Sequence, residues 1–317
     1  MNRVSRKSSA PLKVQLLREG IVESTHVAHA VACDQRGRVL ASAGEAELGT
    51  FIRSALKPFQ ALALLSTGTL DKYNLSDKDL AIICSSHQGN LEQIRQAFNV
   101  LWRCDVEPLA LQCPTPQDEK TPLAHNCSGK HAGMLAVCKS QGWALDGYTQ
   151  RSHPVQKLII KKVAELLGMP ADEFIGAHDN CGVPTYFMQL NHMATLFAKL
   201  ASGNSLDMER IVRAMTNHPM IISGPGGFDS QLMYLSEGTL VSKSGAEGIQ
   251  CIGRVGDGMG LAIKVVDGSK QAKYATAVYL LKQLGWITPD VSEALAEQFM
   301  MPGKYSRLDV VGELPLI

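Results

Sequence analysis

Two hairpin signatures stand near opposite ends of this chain, and they limit what it can fold into. The first joins residues 27–33 to 38–42 through Asp34-Gln35-Arg36-Gly37; the second joins residues 249–254 to 261–266 through Gly256-Asp257-Gly258-Met259-Gly260. In both, strand-forming runs flank a turn rich in glycine and polar residues. Between them the pattern is mostly helical. Leu56, Phe59, Leu62 and Leu65 stand near helical spacing over residues 54–65, and helices are expected at 90–102, 134–138, 154–167, 184–200, 206–215 and 271–284. Residues 80–84 are a short apolar run that strand or helix would satisfy equally. Residues 108–122 hold four prolines and read as a long ordered connection. Strands from both ends, paired around a helical middle, give an α/β (α+β) fold: an antiparallel sheet with flanking helices.

Composition narrows the function. The chain has 317 residues and a net charge of +1, so nucleic acid is not its expected partner, since phosphate binding needs an excess of Lys and Arg on one face. The single basic cluster, Arg3 to Lys7, is expected to belong to a disordered basic tail over residues 1–12. No apolar run approaches the ~18 residues of a membrane span, and the polar start leads into no apolar stretch of a signal peptide; the expectation is a cytoplasmic protein with no membrane partner. Eight cysteines without a C-x-x-C pair read as thiols, and a cysteine metal site would have to be assembled from distant segments.

Three constellations carry chemistry. Ser54 and Lys57 stand three apart at the mouth of a helix, so the amine can lie beside the hydroxyl and serve as its base. Ser86 follows in a polar cluster after an apolar run. A late lysine beside glycines then completes the three-element layout of Ser-Lys hydrolases. Two residues compete for that last place: Lys243-Ser244-Gly245 is the more literal box, whereas Lys264 lies inside an apolar strand and must find a partner, a pocket or solvent, which favours Lys264. The third constellation is Cys127, Lys130 and His131 at i, i+3 and i+4, together with Cys181 in His178-Asp179-Asn180-Cys181-Gly182. Zinc chemistry alone would choose Cys127, His131 and Cys181, with His178 or Asp179 as a further ligand.

Ser54-Ala55-Leu56-Lys57-Pro58, Ser85-Ser86-His87, His125-Asn126-Cys127-Ser128-Gly129-Lys130-His131, Asp179-Asn180-Cys181-Gly182-Val183-Pro184, Gly245-Ala246-Glu247-Gly248 and the strand end from Lys264 to Gly268 resemble, in this order, the asparaginase II family, the Rhizobium-type, thermolabile L-asparaginases. The resemblance runs from about Val14 to Leu284. It implies a fold like that of serine β-lactamases, penicillin-binding proteins and glutaminases, hydrolysis of L-asparagine to L-aspartate and ammonia, and a homodimer. Two Ser-Lys tandems carry over as Ser54 with Lys57 and Ser86 with Lys264, and a zinc site as Cys127, Lys130 and Cys181. For the metal the family pattern thus replaces His131 by Lys130, which can bind only as a neutral amine.

The expected reaction is an acyl transfer in which Ser54 attacks the amide carbon, Lys57 takes its proton, and Ser86 and Lys264 relay a proton to the departing ammonia. Backbone N–H groups at the Ser54 helix start are expected to hold the oxyanion. Arg53 is the candidate cation for the substrate's α-carboxylate, with Asn126 and His131 as further substrate contacts. Because the proposed site spans Ser54 to Lys264, residues 13–317 are expected to form one catalytic domain. The competing readings are a β-lactamase-like or other amide hydrolase on the same scaffold, and a catalytically silent, zinc-bound ligand-sensing protein.

Overall fold

A computed structural model describes residues 9–316 of the chain. Ten strands are present among them: β1 (Leu12–Arg18), β2 (Ile21–Asp34), β3 (Val39–Ala43), β4 (Gly49–Phe51), β5 (Gly176–His178), β6 (Pro184–Gln189), β7 (Leu240–Ser244), β8 (Ile249–Arg254), β9 (Met259–Val265) and β10 (Ser306–Val311). Seven form one antiparallel sheet in the order β10-β1-β2-β9-β8-β7, with β3 against the second half of β2. Both expected hairpins form, and they meet along β2 and β9, where His29 lies opposite Lys264 and Ala30 opposite Ile263.

Alternation along these strands divides the core between two faces. Ala28, Ala30, Ala32, Leu261, Ile263 and Val265 pack toward the helices Lys270–Gln283 and Pro289–Phe299, whereas Val31, Cys33 and Ala262 join the larger core of the helical middle. Helix Leu190–Leu200 lies against β9 and β8 on that second face. Its close approach requires Gly260, because a Cβ there would collide with the Ala194 carbonyl.

Several expectations change. Residues 184–200 are not one helix: Pro184–Gln189 is the central strand of a small sheet, β4-β6-β5, and the helix begins at Leu190. Thr185, Tyr186 and Phe187 are β-branched or aromatic, so strand pairing overrides the apolar spacing that the two segments share. Residues 80–84 end the helix Asp77–Cys84, whose capping box joins Ser76 to Asp79. The Arg3 to Lys7 cluster lies outside the described residues. Residues 9–12 of the expected tail are ordered, with Ser9 bridged to Gly44 and Leu12 opening β1. All eight cysteines are buried free thiols. No described helix is long and apolar enough to cross a membrane.

Candidate active site

A cleft of about 600 Å³ opens beside the β7–β8 turn, and Ser54, Ser86, Asn126 and the segment Ser244 to Gly248 are on its walls. Ser54 sits in the 3-10 turn Arg53–Leu56, which runs directly into the helical segment Lys57–Gln60. The preceding Arg53 has φ +54°, a left-handed conformation that costs a non-glycine residue roughly 1–3 kcal/mol. Tertiary contacts hold it there: its N–H donates to Thr185 Oγ1 at 3.1 Å, and its guanidinium pairs with Asp179 at 2.8 Å and reaches Asn180 Oδ1 at 3.3 Å. Arg53 therefore fixes the backbone before Ser54. Its charge is paired with Asp179 and its side chain is not on the cleft wall, so, contrary to expectation, the structure does not place it as the substrate's cation.

Ser86 is where the distant segments converge. It lies just beyond helix Asp77–Cys84, anchored by its N–H to the Ile222 carbonyl at 2.8 Å. Lys57 Nζ donates to Ser86 Oγ at 3.0 Å and to the carbonyls of Ser85 (2.5 Å) and Asn126 (3.2 Å). From the other side Lys243 Nζ donates to Ser86 Oγ at 2.8 Å and to the Ser244 carbonyl at 2.8 Å. Both lysines are buried. Burial pulls Lys57 below its ordinary value; Lys130 adds to this and Cys127 and Cys181 oppose it. Burial likewise brings Lys243 down to about 7, with Lys57 and Lys273 adding and Asp229 opposing.

Asp229 organises this end of β7. Its carboxylate accepts from Ser242 Oγ (2.7 Å), the Ser244 N–H (2.8 Å) and Gln250 Nε2 (2.9 Å), and stands 3.9 Å from Lys243 Nζ. Burial alone would raise its pKa, but Lys243 and these three hydrogen bonds together hold it below the usual carboxylate range. Nothing in the local sequence marks Asp229, which reads as an ordinary acidic residue in the first turn of helix Phe228–Leu235.

Of the two candidates for the late lysine, the one that reaches Ser86 is Lys243, and the expected pairing of Ser86 with Lys264 is corrected. Lys264 lies opposite Ile249, the first residue of β8, so its half-buried side chain reaches past the strand end to the Glu247 carbonyl and does not reach Ser86. Lys243, the last residue but one of β7 and opposite Cys251, is wholly buried and directed to the second serine. His131 is also corrected as a substrate contact. It is fully buried with Nδ1 2.6 Å from Tyr148 Oη, off the cleft wall, and burial, reinforced by Lys130, drives it well below the ordinary histidine value. Asn126 does lie on the cleft.

Behind this cluster, Cys127 caps helix Ser128–Gln141, Lys130 follows one turn on, and Cys181 sits in the turn closed by the Gly182 N–H on the Asp179 carbonyl. The three side chains meet: Lys130 Nζ is 3.1 Å from Cys181 Sγ, and Cys127 is hydrogen-bonded to Cys181. That bond leads in lowering Cys127, which Lys57 and Lys130 assist against burial, so a thiolate is available. Two sulfurs and an amine on buried elements are a donor set of the kind zinc takes; against burial, Cys127, Cys181 and Asp179 raise Lys130 above its ordinary value, so it would have to lose a proton to bind the metal. Among the described residues no group of three or more His, Cys, Asp and Glu gathers for a metal, so a zinc held here would need Lys130 as its third donor. Asp179 is engaged with Arg53 and His178 is exposed, so neither joins it.

A Ser-x-x-Lys turn, a second serine and a Lys-Ser-Gly strand end around one cleft define the class as hydrolases of the serine–lysine type. Within that class, the L-asparaginase II family model matches residues 14–316, and the chain belongs to this family of amidohydrolases. Similar solved structures include Mglu in its tris and glutamate form, 15% identical with a TM-score of 0.51 over 83% of this chain and 60% of that one. Mglu in another crystal structure is 15% identical with a TM-score of 0.50 over 87% of this chain and 68% of that one. A β-lactamase from Mycobacterium bovis matches at 13% identity and a TM-score of 0.38, over 86% of this chain and 95% of that one. The chain spans about three fifths of the length of the first Mglu structures it matches, 64% and 60%. No curated protein matches the sequence.

Proposed function

We propose that the chain hydrolyses L-asparagine to L-aspartate and ammonia through an acyl-enzyme on Ser54. The observation that carries this reading is the Ser86 hydroxyl held between two lysine amines, Lys57 at 3.0 Å and Lys243 at 2.8 Å, with Ser54 on the wall of the same cleft. Two ammonium groups on one oxygen repel, so one amine gives up its proton; Lys57, which as an ammonium donates three hydrogen bonds, then releases one of them and has a lone pair to act as a base. Ser54 Oγ attacks the side-chain amide carbon while its proton passes to Lys57 Nζ. As the C–N bond breaks, a proton relayed from Lys57 through Ser86 leaves with ammonia. Water then cleaves the Ser54 ester, its second proton returning to Ser54 Oγ. Lys243 holds Ser86 from the far side, in the place first expected of Lys264. The substrate, the homodimer and the zinc are what family membership and the resemblance support, and the cytoplasmic location stays an expectation of the sequence reading. Cys127, Lys130 and Cys181 would hold the zinc, which when bound supplies a Lewis acid and ties the Cys127 and Cys181 segments together.

The test is ammonia release from L-asparagine by wild type, Ser54→Ala and Ser86→Ala, with L-glutamine and nitrocefin as controls. Wild type releases ammonia from asparagine, and each variant loses roughly 10²- to 10⁴-fold. Equal turnover by Ser54→Ala refutes the nucleophile. Silence of the wild type toward asparagine, with or without nitrocefin cleavage, refutes the asparaginase reading.

A further inference from the structure

The asparaginase reading leaves one chemical demand unmet. An α-amino acid brings a carboxylate into the cleft, and Arg53 is already paired with Asp179 and Asn180. We infer that Lys273 receives the substrate's α-carboxylate, and so selects an α-amino acid amide over an amide without that group. The inference rests on the proposed function and deepens it.

Lys273 lies in the first turn of helix Lys270–Gln283 and faces the same cleft as Ser54 and Ser86. Its side chain is only 4% exposed. One of the three N–H donors of its amine goes to the Gly245 carbonyl at 3.0 Å, which leaves two uncommitted. Among the described residues it has no ion-pair partner; Asp229, the buried carboxylate on this wall, is 3.9 Å from Lys243 instead. On the cleft wall itself the buried ionisable side chains are Lys273 and Asp229, and Asp229 is engaged with Ser242, the Ser244 N–H, Gln250 and Lys243. An unpaired buried cation is costly, and a bound carboxylate would restore the balance. Lys270 and Glu247, on the rim, are exposed and solvated.

The helix that carries Lys273 is rigidly placed. Tyr274 stacks on Phe228 with centroids 4.6 Å apart, and Phe299 closes on Phe228 at 5.0 Å. Lys273 Nζ lies 4.8 Å from the Tyr274 ring centroid, so the amine is directed as well as buried. Burial, against the pull of Asp229, brings it down to about 8, which leaves it mostly charged at neutral pH. A charged group held in place before substrate arrives costs little ordering on binding.

The experiment compares L-asparagine with 3-aminopropanamide, which is asparagine without its α-carboxylate, on wild type, Lys273→Met and Lys273→Arg. Lys273→Met is expected to lower kcat/KM for asparagine by roughly 10- to 100-fold, mainly through KM, and to leave 3-aminopropanamide within about threefold, the loss of one charge-assisted contact. Lys273→Arg keeps the preference for the carboxylated amide. An equal fall for both amides would show that Lys273 only fixes the Gly245 turn and would overturn the inference, as would no fall for either. Calorimetric binding of L-aspartate and of β-alanine reads the same recognition without turnover. Wild type that binds aspartate in a Lys273-dependent way but hydrolyses nothing would refute the asparaginase reading alone; failure of wild type to prefer aspartate over β-alanine would refute Lys273.

Discussion

Asp79 and Asp229 are both buried carboxylates in the first turn of a helix, and both stand 3.9 Å from a cation. Asp79 accepts from the Ser76 N–H and hydroxyl, Gln96 and Asn99; Asp229 accepts from Ser242, the Ser244 N–H and Gln250. Their hydrogen-bond satisfaction is nearly the same, and the cations differ. The cation beside Asp79 is Arg103, 34% exposed, which water stabilises in any case and which also donates to the Asn74 carbonyl. The cation beside Asp229 is Lys243, wholly buried, whose other side-chain partner is Ser86 in the cleft. A satisfied buried carboxylate is therefore not by itself a mark of function. The exposure and second partner of its cation decide whether it caps a helix or sets a reactive amine.

The sharpest way to break this comparison is to remove the buried cation. Lys243→Met is expected to cut asparagine turnover by roughly 10³-fold, within the range for a lost proton-transfer group, while the fold is kept. It also leaves a pH signature. Lys243 falls to about 7 in the native state from an ordinary 10.5, so between those values the native chain holds fewer protons than the unfolded one, and this lysine makes stability rise with pH. Thermal melts from pH 7 to pH 9 are expected to show wild type gaining on Lys243→Met. Parallel curves would show Lys243 charged throughout and sink the assignment of a lowered amine.

Neutralising the carboxylates separates the two sites further. Asp229→Asn is expected to lower turnover by roughly 10- to 100-fold through displacement of Lys243 and Ser244, and to move Lys243 further below 7, because Asp229 is what holds it up. The rise of stability with pH then begins at lower pH than in wild type. Asp79→Asn is expected to cost about 1–2 kcal/mol of stability through its mismatched acceptors, read by urea unfolding, with turnover per folded molecule within about twofold. Equal effects of the two substitutions on turnover would erase the distinction drawn from Arg103 and Lys243.

Much of this was legible in the chain because it depends on local spacing. The hairpin turns at Gly37 and Gly256 to Gly258 announce strands; the three-residue intervals Ser54–Lys57 and Cys127–Lys130 bring each lysine to the right neighbourhood, where Lys57 turns to Ser86 and Lys130 to Cys181. What was not legible depends on how far a side chain reaches once distant segments pack. Arg53 and His131 are polar and close to the site in sequence, but their partners, Asp179 and Tyr148, come from segments whose approach no periodicity encodes. Asp229 and Lys273 were missed for the converse reason. Each reads as an ordinary charged residue in a first helical turn until β7 and its glycine turn are laid against it.

The smallest expected effect tests the same point at one residue. Lys264 has the stronger sequence claim to be a buried functional lysine, since it lies among Leu261, Ala262, Ile263, Val265 and Val266. Strand alternation says only that such a lysine points to one face of the sheet, and Lys243 and Lys264 are each the last residue but one of their strands, so position along the strand does not separate them. The Lys264 amine settles on the Glu247 carbonyl, in the turn that leads into β8, with part of the side chain in solvent. Lys264→Met removes one hydrogen bond to a carbonyl that water can also reach, a loss of about 1 kcal/mol at most. Turnover of asparagine is expected to stay within about twofold of wild type, and the melting temperature within a few degrees. A loss approaching that of Lys243→Met would return Lys264 to the centre of the mechanism and leave the Ser86–Lys243 contact as a structural one.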